Sequence, residues 1–382
     1  MPVAVAAVAV AVGVRVPQAR PVEVDAEGNA VCSHPLLVPD NAKENCVFPG
    51  RIDIGEHFLR FGGVEGMKED YDVMLARLQS FGVYNFNPGK YEIVTKLFNS
   101  DTFQGAAKSV CPADKQFLDP FQFNFIMQVP GQSVALHLDA PYFWGASRFH
   151  YPQWLLAAMV FSGKFQEHFI DQVQVVAYLH EWEWDESRAG TFVYWNESVR
   201  HPLSVRPIPL DGSVVDGSKT VHAASIYRPA DVPPVMNKDA NNKLQYHPDS
   251  GDWTVSNDTH TLRTYSWDDL RISIVYRARC FADEAERDRY HATKDNDVME
   301  LDHILRTLAE GLVERKKVKS VEEAMAMDRL ALATLILRTY ITYPRPPTAL
   351  IPYNYCALPK LLESWGMNNL APAAKFALQA VC

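Results

Sequence analysis

Residues 128–139 read Gln128-Val129-Pro130-Gly131-Gln132-Ser133-Val134-Ala135-Leu136-His137-Leu138-Asp139. A Pro-Gly turn is followed by an apolar run that carries two polar residues two positions apart. In an extended strand side chains alternate between faces, so His137 and Asp139 point the same way. An imidazole and a carboxylate on one face can share a metal ion. A second imidazole would complete a two-histidine, one-carboxylate set that leaves coordination positions open. His-x-Asp alone is a weak signal in a chain with 12 histidines. A second copy, His247-Pro248-Asp249, sits among Pro, Asp, Ser and Gly and reads as a turn.

Outward from this segment, residues 120 to 282 hold short runs rich in Val, Ile, Phe, Tyr and Trp, separated by turn residues. The runs are Phe121–Val129, Val134–Leu138, Gln174–Leu179, Thr191–Trp195, Ser213–His222 and Leu270–Phe281. Strands at this spacing predict a β-sandwich or barrel rather than βαβ units. The polar stretch 229–269 reads as a long functional or partly disordered loop. On the N-terminal side, Tyr71, Met74, Leu75 and Leu78 share one face of a helix predicted over Gly66–Phe81. A short helix follows over Tyr91–Phe98. From Glu284 the helical period returns in Val298, Leu301, Ile304, Leu305, Leu308 and Leu312. Ser320 with Glu323 forms a capping box before the run Met325–Thr339. The expected fold class is mainly β with helical flanks (α+β). The expected division is a variable lead-in at 1–45, a core at 46–282 and a helical C-terminal segment at 283–382.

The chain has 382 residues, 47% of them apolar, so it can bury a sizeable core. Its net charge of -9 disfavours a role built on gripping nucleic-acid phosphates. No uncharged apolar run reaches the roughly 18 residues of a membrane helix, so a soluble protein is expected. The six cysteines, Cys32, Cys46, Cys111, Cys280, Cys356 and Cys382, form no C-x-x-C pair. They read as buried free thiols in a reducing compartment, hence a cytoplasmic protein. An organelle transit segment at residues 1–20 is the alternative, since Arg15 and Arg20 precede the first acid, Glu23.

Two further segments carry chemistry. Lys219-Thr220-Val221-His222 ends a strand-like run and offers the second imidazole. In Arg271-Ile272-Ser273-Ile274-Val275-Tyr276-Arg277, a period of two puts Arg271, Ser273, Val275, Arg277 and Arg279 on one face. Ile272, Ile274 and Tyr276 take the other. Arginines aimed into a barrel need anions, because an unpaired buried guanidinium is costly. A solvated edge-strand face is the alternative reading. After Asp139 come Tyr142, Phe143 and Trp144, with Arg148 beyond. These are either pocket walls or a packed barrel corner.

On these residues the sequence resembles the iron(II)/2-oxoglutarate-dependent dioxygenases. The segment Gly131-Gln132 through His137 and Asp139 is similar to the prolyl 4-hydroxylase-like branch, and Arg271-x-Ser273 to the plant-type branch. The resemblance implies a double-stranded β-helix (jelly-roll, cupin-like) core. It implies His137, Asp139 and His222 as catalytic iron(II) ligands. Arg271 would clamp the distal carboxylate of 2-oxoglutarate, Ser273 would add a hydrogen bond, and Gln128 stands at a cosubstrate position where that branch often has Tyr. Against the family's spacing between the distal His and the Arg, the resemblance makes 229–269 an insertion in the core; if the insertion is placed elsewhere, Arg228 or Arg263 is the clamp. O2 is the other cosubstrate, and ascorbate a supporting reductant. The implied reaction is oxidation of an unactivated C–H bond: hydroxylation, desaturation or ring closure. The expected substrate is a small anionic metabolite, with amino-acid-derived acids as the candidate class, held by Tyr142, Trp144, Arg148, Arg277 or Arg279. Three other readings stay open. The Gly131-Gln132 match suggests a protein (prolyl-type) hydroxylase. Arg315-Lys316-Lys317-Val318-Lys319 is the one support for a nucleobase oxidase, and a non-catalytic β-barrel binding protein is a different class. No membrane partner is expected. The C-terminal helices are either a dimer contact or a buttress, so the oligomeric state is open.

Overall fold

In the computed structural model, the alternation of residues 120–282 becomes three larger antiparallel sheets and a two-stranded pair of Tyr142–Phe143 with Phe169–Ile170. The described residues are 51–85, 91–196, 201–236, 240–258, 260–346, 354–364 and 366–382, with five two-residue strands before residue 51. The longer strands are β1 (Phe81–Asn85), β2 (Phe117–Gln128), β3 (Val134–His137), β4 (Gln172–Tyr178), β5 (Phe192–Tyr194) and β6 (Leu203–Val205). They continue with β7 (Gly212–Val215), β8 (His222–Ala224), β9 (Asn242–Tyr246), β10 (Trp253–Asn257), β11 (His260–Tyr265) and β12 (Arg271–Phe281). The major sheet runs β1-β2-β12-β4-β7, with the two-residue strand Val8–Ala9 on the outer edge of β1, and a second runs β6-β5-β8-β3.

The major sheet has faces of opposite character. Phe123, Val173, Val175, Ile274, Tyr276, Ala278 and Cys280 are buried on its outer face, in one cluster with Val94, Phe98 and Ala107. Those last three come from two short helices, α3 (Glu92–Phe98) and α4 (Asp101–Lys108), which follow α1 (Ile52–Phe61) and α2 (Tyr71–Arg77). The inner face is buried too, yet it carries Gln122, Asn124, Gln128, Gln172, Gln174, Arg271, Ser273 and Arg279. Register confirms the shared face: Arg271 lies opposite Gln128, and Arg277 opposite both Gln122 and Gln174. Buried polar groups are costly unless bonded. This face therefore belongs to a site rather than to a core.

Several expectations need correction. The predicted helix 66–81 shrinks to α2, because Asp70 caps it at Tyr71 and the chain is already extended at Phe81. The run Ser213–His222 is two strands, β7 and β8, separated by a turn at 217–220 in which Lys219 and Thr220 donate to the Asp216 carbonyl. The stretch 229–269 is no plain loop. It folds as the meander β9-β10-β11, whose alternate residues Leu244, Trp253, Val255 and Tyr265 pack against Phe81, Met127, Leu270 and Ile272. His247 lies in its first hairpin, bonded to Thr254 Oγ1 at 2.7 Å, as a turn residue would be.

The helix α5 (Gln153–Ser162) gave no amphipathic signal because it is buried nearly all round. It packs in one cluster with residues of α7 (Leu301–Glu314) and α9 (Arg329–Tyr340), which follow α6 (Glu284–Thr293) and α8 (Val321–Met325). The single run Met325–Thr339 is thus split between α8 and α9. The apolar positions Leu332, Ile336 and Leu337 face this cluster.

The cysteine reading is also corrected. Cys111 bonds to Cys280 and Cys356 to Cys382, and no described cysteine is free. Cys111 and Cys280 are separated by 169 residues, so only the packing of α4 on the outer face of β12 brings them together. This removes the ground for expecting a reducing compartment. No described helix is long and apolar enough to cross a membrane.

Candidate metal centre

His137 ends β3 and His222 opens β8, and the two are direct register partners. Their rings lie 4.3 Å apart, centroid to centroid. Asp139, just past β3, donates its N–H to the Gly217 carbonyl at 2.8 Å. That bond turns its carboxylate toward both rings: 3.6 Å to His137 Nε2 and 4.0 Å to His222 Nε2. One ligand atom from each of the three lies within 4.8 Å of the others.

The imidazoles are oriented from behind. His137 Nδ1 meets the Ala135 carbonyl at 2.7 Å, and His222 Nδ1 meets that of Thr220 at 2.8 Å. A carbonyl only accepts, so Nδ1 carries the proton in both rings and Nε2 offers its lone pair inward. Burial, with His137 alongside, pushes the His222 pKa down to about 4, so that ring is neutral at pH 7, as a metal ligand must be. Burial alone would raise the Asp139 carboxyl. The Arg277 guanidinium and the two imidazoles outweigh it and hold it well below the usual carboxylate range.

Flanking elements fix the ligand strand. Arg51 donates to the carbonyl of Leu138, between the two ligands, at 2.9 Å. Asp53 neutralises Arg51 at 2.7 Å, and Tyr343, far down the chain, donates to Asp53 at 2.7 Å. The buried Arg77 grips the Gly131 carbonyl at 2.9 Å and pairs with Glu69 at 2.5 Å. Gly217 allows the close approach of its turn: a Cβ there would overlap the Asp139 carboxylate.

The arginine face has three different fates. Arg277 reaches across from the major sheet and ion-pairs with Asp139 Oδ1, while its Nε donates to Gln174 Oε1 at 2.9 Å. That fixes the Gln174 amide, whose nitrogen lies 3.2 Å from His222 Nε2. Arg279 pairs with Asp119 at 2.7 Å and is ringed by Phe121, Tyr142 and Tyr290 at 4.8–5.1 Å. The sequence offers one of these two, or Arg148, as the anchor of a substrate anion; Arg277 and Arg279 are both engaged by carboxylates of the chain itself. Arg271 differs. It is 4% exposed, donates to the Gly190 carbonyl at 3.1 Å and to Gln128 Oε1 at 2.5 Å, and stacks over Tyr178 at 5.0 Å. No carboxylate pairs with it among the described residues, and the Gln128 amide nitrogen beside it is buried without a partner. Ser273 lies two positions on, opposite Tyr178. The other clamp candidates are spent elsewhere. Arg228 pairs with Asp231 and Asp269 at 2.8 and 2.7 Å, and the Arg263 guanidinium holds the Val232 carbonyl at 2.7 Å.

Of the remaining expected residues, Tyr142 and Arg148 line a cavity of about 230 Å³ beyond Arg279. Trp144 sits behind that cavity, edge-on to Tyr290 at 5.6 Å, with Arg289 over its ring. Gln132 accepts the Val129 N–H at 2.9 Å and serves the turn itself. Reading the sequence missed Gln174, Tyr178, Gly217 and Arg51. The alternation Gln172-x-Gln174 in an otherwise apolar strand was a usable signal for the first.

No family model matches the chain, and neither does any curated protein. Solved structures do. One is a prolyl-4-hydroxylase of Pseudomonas putida, at 15% identity over 52% of this chain and 71% of that one, with a TM-score of 0.28. Another is a 2OG-Fe(II) oxygenase family oxidoreductase of Burkholderia pseudomallei, at 10% identity, 53% and 67% coverage, and a TM-score of 0.28. A third is a prolyl 4-hydroxylase of Phytophthora capsici, at 11% identity, 77% and 76% coverage, and a TM-score of 0.27. The chain resembles the iron(II)/2-oxoglutarate oxygenases.

Proposed function

We propose that the protein is an iron(II)/2-oxoglutarate-dependent dioxygenase that oxidises a C–H bond of a small anionic metabolite. The two facing sheets are then the halves of a double-stranded β-helix. One observation carries the reading: two imidazoles and a carboxylate meet the polar face of β12 at Arg277, and the same face holds, at Arg271, a buried guanidinium without an acid among the described residues. His137 Nε2, His222 Nε2 and Asp139 would hold iron(II), a donor set of the type used by non-haem iron oxygenases. Arg271, Gln128 and Ser273 would hold the distal carboxylate of 2-oxoglutarate, for which a planar fork is suited. When bound, iron and 2-oxoglutarate supply the oxygen activation. The chain's own work is geometric and electrostatic. Nδ1 anchoring fixes both rings, and Arg277 holds one oxygen of Asp139.

The test is an anaerobic titration with iron(II) and then 2-oxoglutarate, following the visible charge-transfer band. The band is expected in the wild type, absent in His137→Ala, and shifted to far higher 2-oxoglutarate in Arg271→Ala. Iron binding without a band would leave the metal site and remove the cosubstrate. Failure of both would favour a binding protein.

A further inference from the structure

Two asparagines open an Asn-x-Ser/Thr triplet, Asn196-Glu197-Ser198 and Asn257-Asp258-Thr259. Such a triplet accepts an N-linked glycan where it lies on the surface of a secreted chain. On sequence alone the motif is common, and its meaning depends on where the fold puts it. The fold puts both acceptors in the same kind of place. Asn196 is exposed and stands two residues past β5, in the connection that returns as β6 with Tyr194 opposite Leu203. Asn257 is partly exposed, ends β10 and lies opposite His260, the first residue of β11. β6 is the outer strand of β6-β5-β8-β3, and β11 is the outer strand of the meander β9-β10-β11. Each acceptor therefore sits at the hairpin that delivers an edge strand.

Both edges are bare. Among the described residues no further strand pairs with either. Leu203 and Ser204 are exposed in β6, and the five consecutive residues 260–264 are exposed in β11. Neighbours in a strand point to opposite faces, so neither face of β11 is covered over that length. Neither strand contains Pro or Lys, which commonly blunt an edge, and each shows a leucine, Leu203 or Leu262, to solvent. An edge of this kind offers its N–H and C=O groups to another chain. A bulky, hydrated glycan at the adjoining hairpin denies that approach. A second observation, independent of the motif, points to the compartment where such glycans are added. Cys111 is bonded to Cys280 and Cys356 to Cys382, pairings that an oxidising environment sustains.

We infer that the chain matures in an oxidising secretory compartment and carries N-linked glycans on Asn196 and Asn257, which shield the β6 and β11 edges from strand addition. In the transfer, the side-chain amide nitrogen bonds to the anomeric carbon of a lipid diphosphate-linked oligosaccharide. The bond from that carbon to the diphosphate oxygen breaks, the lipid diphosphate leaves with the electron pair, and the amide gives up one proton. Nothing is oxidised or reduced. Transfer precedes folding, so the fold has only to leave room for the glycan at the surface afterwards. The inference does not depend on the reading of the metal centre.

The test uses the full chain, secreted from a eukaryotic host behind a cleavable leader. Treatment with an amidase that removes N-glycans, in heavy-oxygen water, converts each glycosylated asparagine to labelled aspartate, read by peptide mass spectrometry. Label is expected in place of both Asn196 and Asn257. Ser198→Ala and Thr259→Ala keep the asparagines, and each is expected to abolish the label at its own site alone. Removing the glycans from the folded chain is expected to raise self-association several-fold by light scattering, with the far-UV spectrum unchanged. The same chain made in a reducing cytosol is expected to unfold at lower denaturant, because it lacks both cross-links. An unlabelled asparagine in the secreted, folded chain overturns the assignment at that position. Unchanged scattering overturns the shielding, and a cytosolic chain as stable as the secreted one overturns the compartment.

Discussion

The two ends of β12 carry the same residue on the same inner face in opposite states. Arg279 is 6% exposed and has its own carboxylate, Asp119, with three rings around it. Arg271 is as deeply buried and is held only by neutral oxygens. A buried charge left without a partner costs several kcal/mol. A chain that completes one end and leaves the other open has built two different things: a finished structural pair at Arg279 and a receptor for an outside anion at Arg271. Between them Arg277 takes the ligand carboxylate itself.

The strongest way to break this comparison is to remove what lies between the ends. Gly217→Ala places a methyl group on the Asp139 carboxylate. Iron(II) binding is expected to fall by more than the ~10–100-fold typical of changes to groups that merely support a ligand. Both arginines should stay in place. An anaerobic iron titration with unchanged affinity would show that the Asp139 carboxylate does not ligate from this position.

The comparison is tested directly by truncating each end. Arg279→Ala strands Asp119 in the interior and is expected to cost about 3–5 kcal/mol in chemical denaturation. Affinity for 2-oxoglutarate should hardly move. Arg271→Ala removes a cation that has no acid, so stability should hold or rise. Its 2-oxoglutarate affinity should drop by about 30-fold or more, the ~2 kcal/mol or greater loss seen when one side of a buried charge pair is removed. If both variants lose stability alike, Arg271 is a structural arginine and the clamp is elsewhere.

Arg277→Gln probes the middle of the strand. Arg277 is the chief group holding the Asp139 carboxyl down against burial. Without it the carboxyl pKa rises, so protonation competes with iron at higher pH. The acid limb of iron(II) affinity is expected to move to higher pH, with affinity at neutral pH little reduced. An unmoved limb would show that Arg277 does not tune this ligand.

These contrasts were only partly legible in the sequence. His137, Asp139 and the face from Arg271 to Arg279 follow from strand alternation alone, because period two is local. Which anion meets each arginine is not local. Asp119 meets Arg279 from β2, while Asp139 meets Arg277 from beyond β3, and only the register of the sheets sets those distances. Gly217 looks like any turn glycine until Asp139 is placed beside it. The disulfide Cys111–Cys280 depends on packing between elements 169 residues apart. Helix α5 lacks an amphipathic period because neighbours cover it almost completely. The meander within 229–269 was hidden by its polar outward residues, although Leu244, Trp253, Val255 and Tyr265 already alternated.

The smallest effect separates the ends by pH. His180 lies at the Arg271 end, stacked on Trp182 at 3.7 Å, with Nε2 on the Pro207 carbonyl at 2.8 Å. Burial lowers its pKa from the ordinary 6.5 to about 4, and Arg271 pushes the same way. The folded state thus prefers the neutral ring more strongly than the unfolded chain does. Above pH ~6.5 the ring is neutral in both states and the contribution is complete. As pH falls from ~6.5 toward ~4 the unfolded chain takes up the proton first, and stability drops. After allowance for solvent screening the loss is about 1–2 kcal/mol. Denaturation midpoints measured across this window should decline less in His180→Gln than in the wild type. Because part of the lowering comes from the Arg271 charge, an anion seated on Arg271 should ease protonation of His180. Saturating 2-oxoglutarate with a divalent metal should therefore also flatten the decline. A flattening with His180→Gln but none with 2-oxoglutarate would place the anion away from Arg271 and dissolve the contrast between the two ends of β12.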